Sequence, residues 1–182
     1  MALVVFLRGV NVGGHRRFRP SVLARELAEF ELTSIGAAGT FVIWKPGSAA
    51  KFEVALRKRL PMDCDVMIVP AREVMRIAKE NPFRGQAGDG VTRFVSVLAK
   101  ASKKPPKLPL QIPSEGEWLV RVLGCDGRFV FGEYRRSMKT IGCLGQMDKI
   151  FGGKMTTRGW GTIASVVKLL EGRGMARAAG KD

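Results

Sequence analysis

The chain has 182 residues, 46% of them hydrophobic, so it is long and apolar enough to fold around a core rather than stay disordered. Its 31 Lys and Arg residues against 16 Asp and Glu residues give a formal net charge of +15 at pH 7. This surplus favours acidic partners such as nucleic acid, an anionic membrane or an acidic protein. The competing interpretation is a basic housekeeping domain whose charge is incidental.

Cysteine usage and the N-terminus predict a soluble, cytoplasmic protein. Three widely spaced cysteines and one histidine do not form a standard zinc-binding pattern, and an odd number of cysteines is typical of reduced thiols. The opening MALVVFL lacks a basic leader region and is too short for a signal peptide. Because no stretch approaches the roughly 20 apolar residues of a membrane-spanning helix, we expect no membrane insertion.

The first 70 residues carry the pattern of a β-α-β-β-α-β unit. Apolar runs rich in β-branched residues predict strands, and apolar positions three or four apart predict helices. In chain order the elements are a buried strand over 2–7, a helix beginning at Pro20, two strands within 33–44, a helix over 49–60 and a strand over 64–70. This is the order of a ferredoxin-like split βαβ unit.

The rest of the chain predicts further strands and helices around one proline-rich segment. Residues 100–115 hold four prolines and four lysines, which predicts an exposed basic loop without regular structure. The next elements are a helix over 71–83, a central strand over 91–99 and a hairpin within 117–134 that turns at Cys125-Asp126-Gly127. A short helix follows within 139–152, and a helix with a strong apolar pattern lies at the end of residues 155–172.

These elements predict an α+β fold with ferredoxin-like βαββαβ organisation. We expect two intertwined ferredoxin-like halves, about 1–70 and 90–172, within one compact domain that spans 1–172. The small, basic residues 173–182 predict a flexible tail.

Three motifs carry a family resemblance over nearly the whole chain. The opening FLRGVNVGG, the ENPF at 80–83 and the TTRGWGT at 156–162 resemble motifs of the bacterial family catalogued as domain of unknown function 1697. The resemblance implies an α+β fold of ferredoxin-like halves and implies no activity. The chain departs from the family where GAAGTFVIW replaces a YIQSGNVVF-like segment, and where Gly159 and Gly161 replace asparagines.

The glycine-rich turn near the N-terminus, FLRGVNVGGHRRFRP, is a candidate anion site. Gly9 and Gly14 have the spacing of a Walker A loop. The Lys and Ser/Thr that such a loop needs next are replaced by His15 and Arg16, so we predict no nucleotide cofactor of that type and no other cofactor. Free N–H groups at a helix start beside arginines still suit an anion, whereas the alternative is a tight turn with solvated arginines. The candidate residues are Arg8, Asn11, Gly13, Gly14, His15, Arg16, Arg17 and Arg19.

Two further places supply candidate anion or nucleic-acid contacts. Lys103 and Lys104 lie in the lysine-rich segment 100–107, and Arg158 and Trp160 lie in TTRGWGT. A tryptophan beside an arginine can stack on a base, although packing on the core is the more usual role of such a residue.

The sequence marks no catalytic or metal-binding residue, and it leaves open whether the protein is an enzyme. The first hypothesis is a non-enzymatic domain that binds RNA, DNA or another polyanion through residues 15–19 and the lysines of 100–107. The alternatives are a protein or enzyme for a small phosphorylated ligand at residues 8–19, and a self-associating structural module. The ligand and the oligomeric state are not encoded in any recognisable motif.

Overall fold

The computed structural model of the protein describes residues 1–11, 19–83 and 85–179, in two compact units. The first unit comprises Met1–Glu80 together with Gly161–Asp182, and the second comprises Asn81–Trp160. Each unit is built on one antiparallel sheet with helices, so the α+β class predicted from the sequence is confirmed. The sequence had placed the two halves at about 1–70 and 90–172.

The first unit contains the β-α-β-β-α-β order expected from the sequence. Its elements are β1 (Leu3–Leu7), α1 (Pro20–Glu26), a 3-10 turn (Ala28–Phe30), β2 (Leu32–Ile35), β3 (Thr40–Ile43), α2 (Ala49–Arg59), β4 (Val66–Pro70) and α3 (Ala71–Glu80). The sheet order is β2-β3-β1-β4 with every neighbouring pair antiparallel. The central strands β1 and β3 are buried along their whole length.

Local sequence explains where the helices of the first unit begin and how they pack. Pro20 opens α1, where a missing N–H costs nothing. The Ser48 hydroxyl caps α2 by accepting from the Lys51 amide at 3.1 Å. On the buried side, Phe52 of α2 meets the ring of Phe30 edge-on, with centroids 5.2 Å apart. The helices thereby seal the apolar face of the sheet.

The second unit repeats the strand order of the first with one helix missing. Its elements are β5 (Val91–Leu98), β6 (Leu110–Ile112), β7 (Val120–Asp126), β8 (Phe129–Arg135), α4 (Thr140–Phe151) and β9 (Met155–Gly159). The sheet order is β6-β7-β8-β5-β9, again with antiparallel pairs. Without β6, the order β7-β8-β5-β9 matches β2-β3-β1-β4 strand for strand. The proline- and lysine-rich segment stands between β5 and β7, where the first unit has α1.

Two strands of the second unit were missed at the sequence level. The expectation that proline excludes regular structure throughout 100–115 is wrong at β6, because Pro109 and Pro113 flank these three residues without interrupting them. As the last strand of its sheet, β6 tolerates such neighbours. The strand β9 was hidden because its residues, MTTRG, lack a long apolar run.

The last helix, α5 (Trp160–Ala179), continues directly from β9, and from Gly161 onward the chain is part of the first unit again. The helix includes residues 173–179, which the sequence had assigned to the tail. Its buried positions Ile163, Val166 and Leu170 are three or four apart, as an amphipathic helix requires.

Within the part of the chain that the structure describes, no helix combines the length and apolarity needed to cross a membrane.

Candidate functional site

A groove with a volume of about 630 Å³ lies at one end of the sheet in the second unit. Two segments form it: residues 99–104, which follow β5, and residues 149–154, which comprise the end of α4 and its connection to β9. The segments are held together by backbone hydrogen bonds, since the Ala99 amide donates to the Lys154 carbonyl at 2.8 Å. Leu98 and Met155 pair just inside the sheet.

The lining of this groove carries five lysines and, among the described residues, no carboxylate. The lysines are Lys100, Lys103, Lys104, Lys149 and Lys154. The rest of the lining is mostly apolar or small: Ala99, Ala101, Ser102, Ile150, Phe151, Gly152 and Gly153. We call this feature the lysine groove. Ammonium groups around an apolar surface suit a ligand that carries both anionic and apolar groups.

The turn after α4 fixes one wall of the lysine groove. Gly152 has φ 68°, a left-handed conformation that glycine adopts without strain, and it ends the helix. The Gly153 amide donates to the Asp148 carbonyl at 2.9 Å. The Asp148 carboxylate accepts from the Met155 amide at 3.2 Å, so the acid nearest in sequence is bound to the backbone of the turn.

A structural role explains part of this charge. Lys149 lies in the last turn of α4 and Lys154 follows shortly after, and cations near a helix C-terminus are stabilised by the helix dipole. This does not account for Lys100, Lys103 and Lys104, which belong to the segment after β5 and are all exposed. The concentration of lysines in the groove therefore exceeds what capping α4 requires.

Of the three N-terminal candidates that the structure describes, two have side-chain contacts within the first unit. Arg8 forms an ion pair with Asp65 at 3.8 Å, and its amide donates to the Asp65 carbonyl at 2.9 Å. Asn11 has φ 55° and its side chain donates to the Ala37 carbonyl at 2.8 Å. Arg19 is exposed at the start of α1. The remaining candidates lie outside the described residues: Gly13, Gly14, His15, Arg16 and Arg17.

The candidates in TTRGWGT contact their own unit. Arg158 is only 7% exposed and donates to the Thr156 hydroxyl and the Thr157 carbonyl, both at 2.9 Å. Burial lowers the pKa of the Arg158 guanidinium to about 10. Trp160 meets Phe83 edge-on, with ring centroids 5.0 Å apart.

The structure brings Lys103 and Lys104 together with two lysines that no sequence motif had marked, Lys149 and Lys154. A signal was available, because residues 90–114 and residues 149–170 each contain no Asp or Glu. What no pattern could supply is the pairing of β5 with β9, which sets these two acid-free stretches side by side.

The described residues offer little support for metal or thiol chemistry. No group of three or more His, Cys, Asp or Glu residues there could hold a metal ion. Cys64 and Cys143 are buried, and burial, followed by the nearby Asp126 carboxylate, raises the pKa of the Cys125 thiol. A raised pKa disfavours the thiolate that a cysteine nucleophile needs.

Comparisons with known proteins place the chain in a family but identify no individual relative. Neither the curated proteins nor the solved structures include a match to this chain. A family model described as Protein of unknown function (DUF1697) matches residues 1–121, which include the opening FLRGVNVGG and ENPF. This confirms the resemblance that the motifs indicated. The chain belongs to the DUF1697 family of proteins of unknown function.

Proposed function

We propose that this protein binds polyanions, with RNA or DNA as the main ligand class, through the lysine groove. The observation that carries the proposal is the set of five lysines around one concave surface, with no carboxylate among the described lining residues. Lysine ammonium groups bind phosphates as point charges, and each contact releases counterions from the nucleic acid. The net charge of +15 adds long-range attraction for such a ligand.

The groove supports this function better than the N-terminal turn does in the described part of the chain. Arg8 and Asn11 contact Asp65 and Ala37, respectively, contacts that fix the turn itself. Lys103 and Lys104, by contrast, are exposed on the groove lining. Membership of the DUF1697 family assigns no activity to the N-terminal turn or to the lysine groove. The proposal therefore depends on the groove alone.

The test is a titration of fluorescently labelled oligonucleotides, with binding followed by anisotropy. The decisive variant replaces Lys100, Lys103 and Lys104 by alanine. The matched control removes three exposed lysines of the first unit, Lys51, Lys58 and Lys168, and so makes the same change in net charge.

We expect the groove variant to lose most of the affinity and the control variant to keep it. Equal losses in the two variants would mean that net charge alone attracts the ligand, which would refute the groove. The protein could instead bind neither RNA nor DNA and show a raised unfolding temperature with a small phosphorylated compound. That result would favour the small-ligand alternative.

A further inference from the structure

The apolar part of the lysine groove has no role in holding phosphates. Ala99, Ala101 and Ile150 line it beside the two glycines that follow α4. A surface that only attracted the outside of a double helix would need the lysines and no concave apolar lining. The volume, about 630 Å³, falls within the roughly 300–1,000 Å³ that is usual for sites enclosing small ligands.

We propose that the groove prefers single-stranded to double-stranded nucleic acid, with an unpaired base against the apolar lining and its neighbouring phosphates at the lysines. This inference rests on the proposed function. An unpaired nucleotide offers an apolar face that a duplex keeps inside its stack. A duplex can therefore contact the lysines but cannot fill the groove, and it forgoes the apolar contribution.

The contact in the groove is packing against aliphatic groups rather than stacking on an aromatic ring. Among the described lining residues the aromatic one is Phe151, and it is only 2% exposed. An aliphatic surface does not read hydrogen-bonding groups, and so it accepts any base. The preference is thus for strandedness and not for sequence.

Gly153 offers a way to fill the groove without removing a lysine. A Cβ built on Gly153 has one close neighbour, the Leu98 Cδ2 atom at 3.9 Å, which is ordinary contact distance. Gly153→Leu therefore adds apolar volume to the lining with little conflict. Ala101→Leu, on the opposite segment, is a second variant of the same kind. Gly145→Leu is the control, since a Cβ at that exposed helical position meets nothing within 4 Å.

The probes are an oligothymidylate and a hairpin duplex that carries the same number of phosphates, each titrated by anisotropy at one salt concentration. We expect the wild type to bind the single strand about tenfold more tightly, which is the gain from removing about 55 Å² of apolar surface from water. Gly153→Leu and Ala101→Leu should remove that preference and leave duplex affinity unchanged, whereas Gly145→Leu should alter neither. Thermal unfolding establishes which variants are folded.

The outcomes separate this inference from the function on which it rests. Equal affinity for the two probes, or a preference that survives in both folded groove-filling variants, would overturn the single-strand preference while polyanion binding stands. Failure of the wild type to bind either probe would overturn the proposed function itself.

Discussion

The Arg173 guanidinium carbon lies 4.4 Å from the centroid of the Trp44 ring. Arg173 also forms an ion pair and hydrogen bond with Glu31, and Trp44 donates to the Thr33 hydroxyl at 2.9 Å. Lys45 is the second cation on Glu31. One side chain of α5 is thus bound to residues around β2 and β3, more than 100 positions earlier in the chain, and this contact helps to hold α5 within the first unit.

Arg173→Ala should destabilise the protein by about 0.5–1 kcal/mol through loss of the cation–π contact, together with the loss of the ion pair. Chemical denaturation measures the change in the free energy of unfolding. Arg57→Ala is the control, because Arg57 pairs with Glu53 on the exposed face of a single helix at 2.7 Å. The control should cost about 0.3–0.5 kcal/mol. A cost for Arg173→Ala no greater than that of the control would show that α5 is held by its apolar face alone.

The Glu31 carboxylate should make stability depend on pH in the acid range. Lys45 and then Arg173 lower the pKa of Glu31 below its ordinary value of 4.5. The unfolded chain therefore takes up this proton before the folded protein does, so the stabilising contribution is complete above pH 4.5 and is lost as the pH falls through the folded-state pKa. The stability difference between wild type and Glu31→Gln should shrink over that range. A difference that stays constant down to the acid transition would contradict this assignment.

Two glycines of the second unit should respond to alanine with opposite signs. A Cβ on Gly132 would lie 2.3 Å from the Arg121 carbonyl oxygen and 2.8 Å from Phe94 Cζ, so β7 and β8 would have to separate. We expect Gly132→Ala to cost about 1–3 kcal/mol, as overpacking does. Gly145→Ala, in the open middle of α4, should instead stabilise the protein by about 0.5–1 kcal/mol. A tolerated Gly132→Ala would disprove the close approach.

Local patterns predicted most of the fold, because most of its elements carry a recognisable pattern of apolar and turn residues. The apolar run of β1 and the Asp126-Gly127 turn of the β7–β8 hairpin, where Gly127 has φ 56°, are examples. The exceptions have physical reasons. The strand β9 owes its extended form to pairing with β5, and one of its threonine hydroxyls is satisfied there, since Thr157 shares a 2.6 Å hydrogen bond with Ser96. Neither β5 nor β9 carries a sequence pattern that identifies the other strand as its partner.

The candidate site was predictable only in part for a similar reason. Lysine density marked residues 100–107, but a single lysine in a helix end gives no sign that it faces the same groove. The reverse holds for Arg158, whose charge indicates exposure in sequence and whose side chain is 7% exposed in the structure. Burial is a tertiary property, and the alternation of β9 alone does not reveal which face is covered.

Arg158→Ala should therefore reduce stability and leave nucleic-acid affinity unchanged. The loss of its donors leaves the Thr156 hydroxyl and the Thr157 carbonyl without these partners, at a cost of about 1–3 kcal/mol. Unfolding experiments measure the first effect, and oligonucleotide titration of the folded variant measures the second. A large fall in oligonucleotide affinity in a fully folded Arg158→Ala variant would show that Arg158 takes part in binding.

The salt dependence of oligonucleotide binding tests the central claim most directly. The logarithm of the binding constant should fall linearly with the logarithm of salt concentration, with a slope of about 0.7 per lysine–phosphate contact for a single strand. Replacing Lys100, Lys103 and Lys104 by alanine should make that slope shallower by about 2, because three contacts are lost. The control variant lacking Lys51, Lys58 and Lys168 should keep the wild-type slope. An unchanged slope in the groove variant, or the same reduction in the control, would contradict a binding site in the lysine groove.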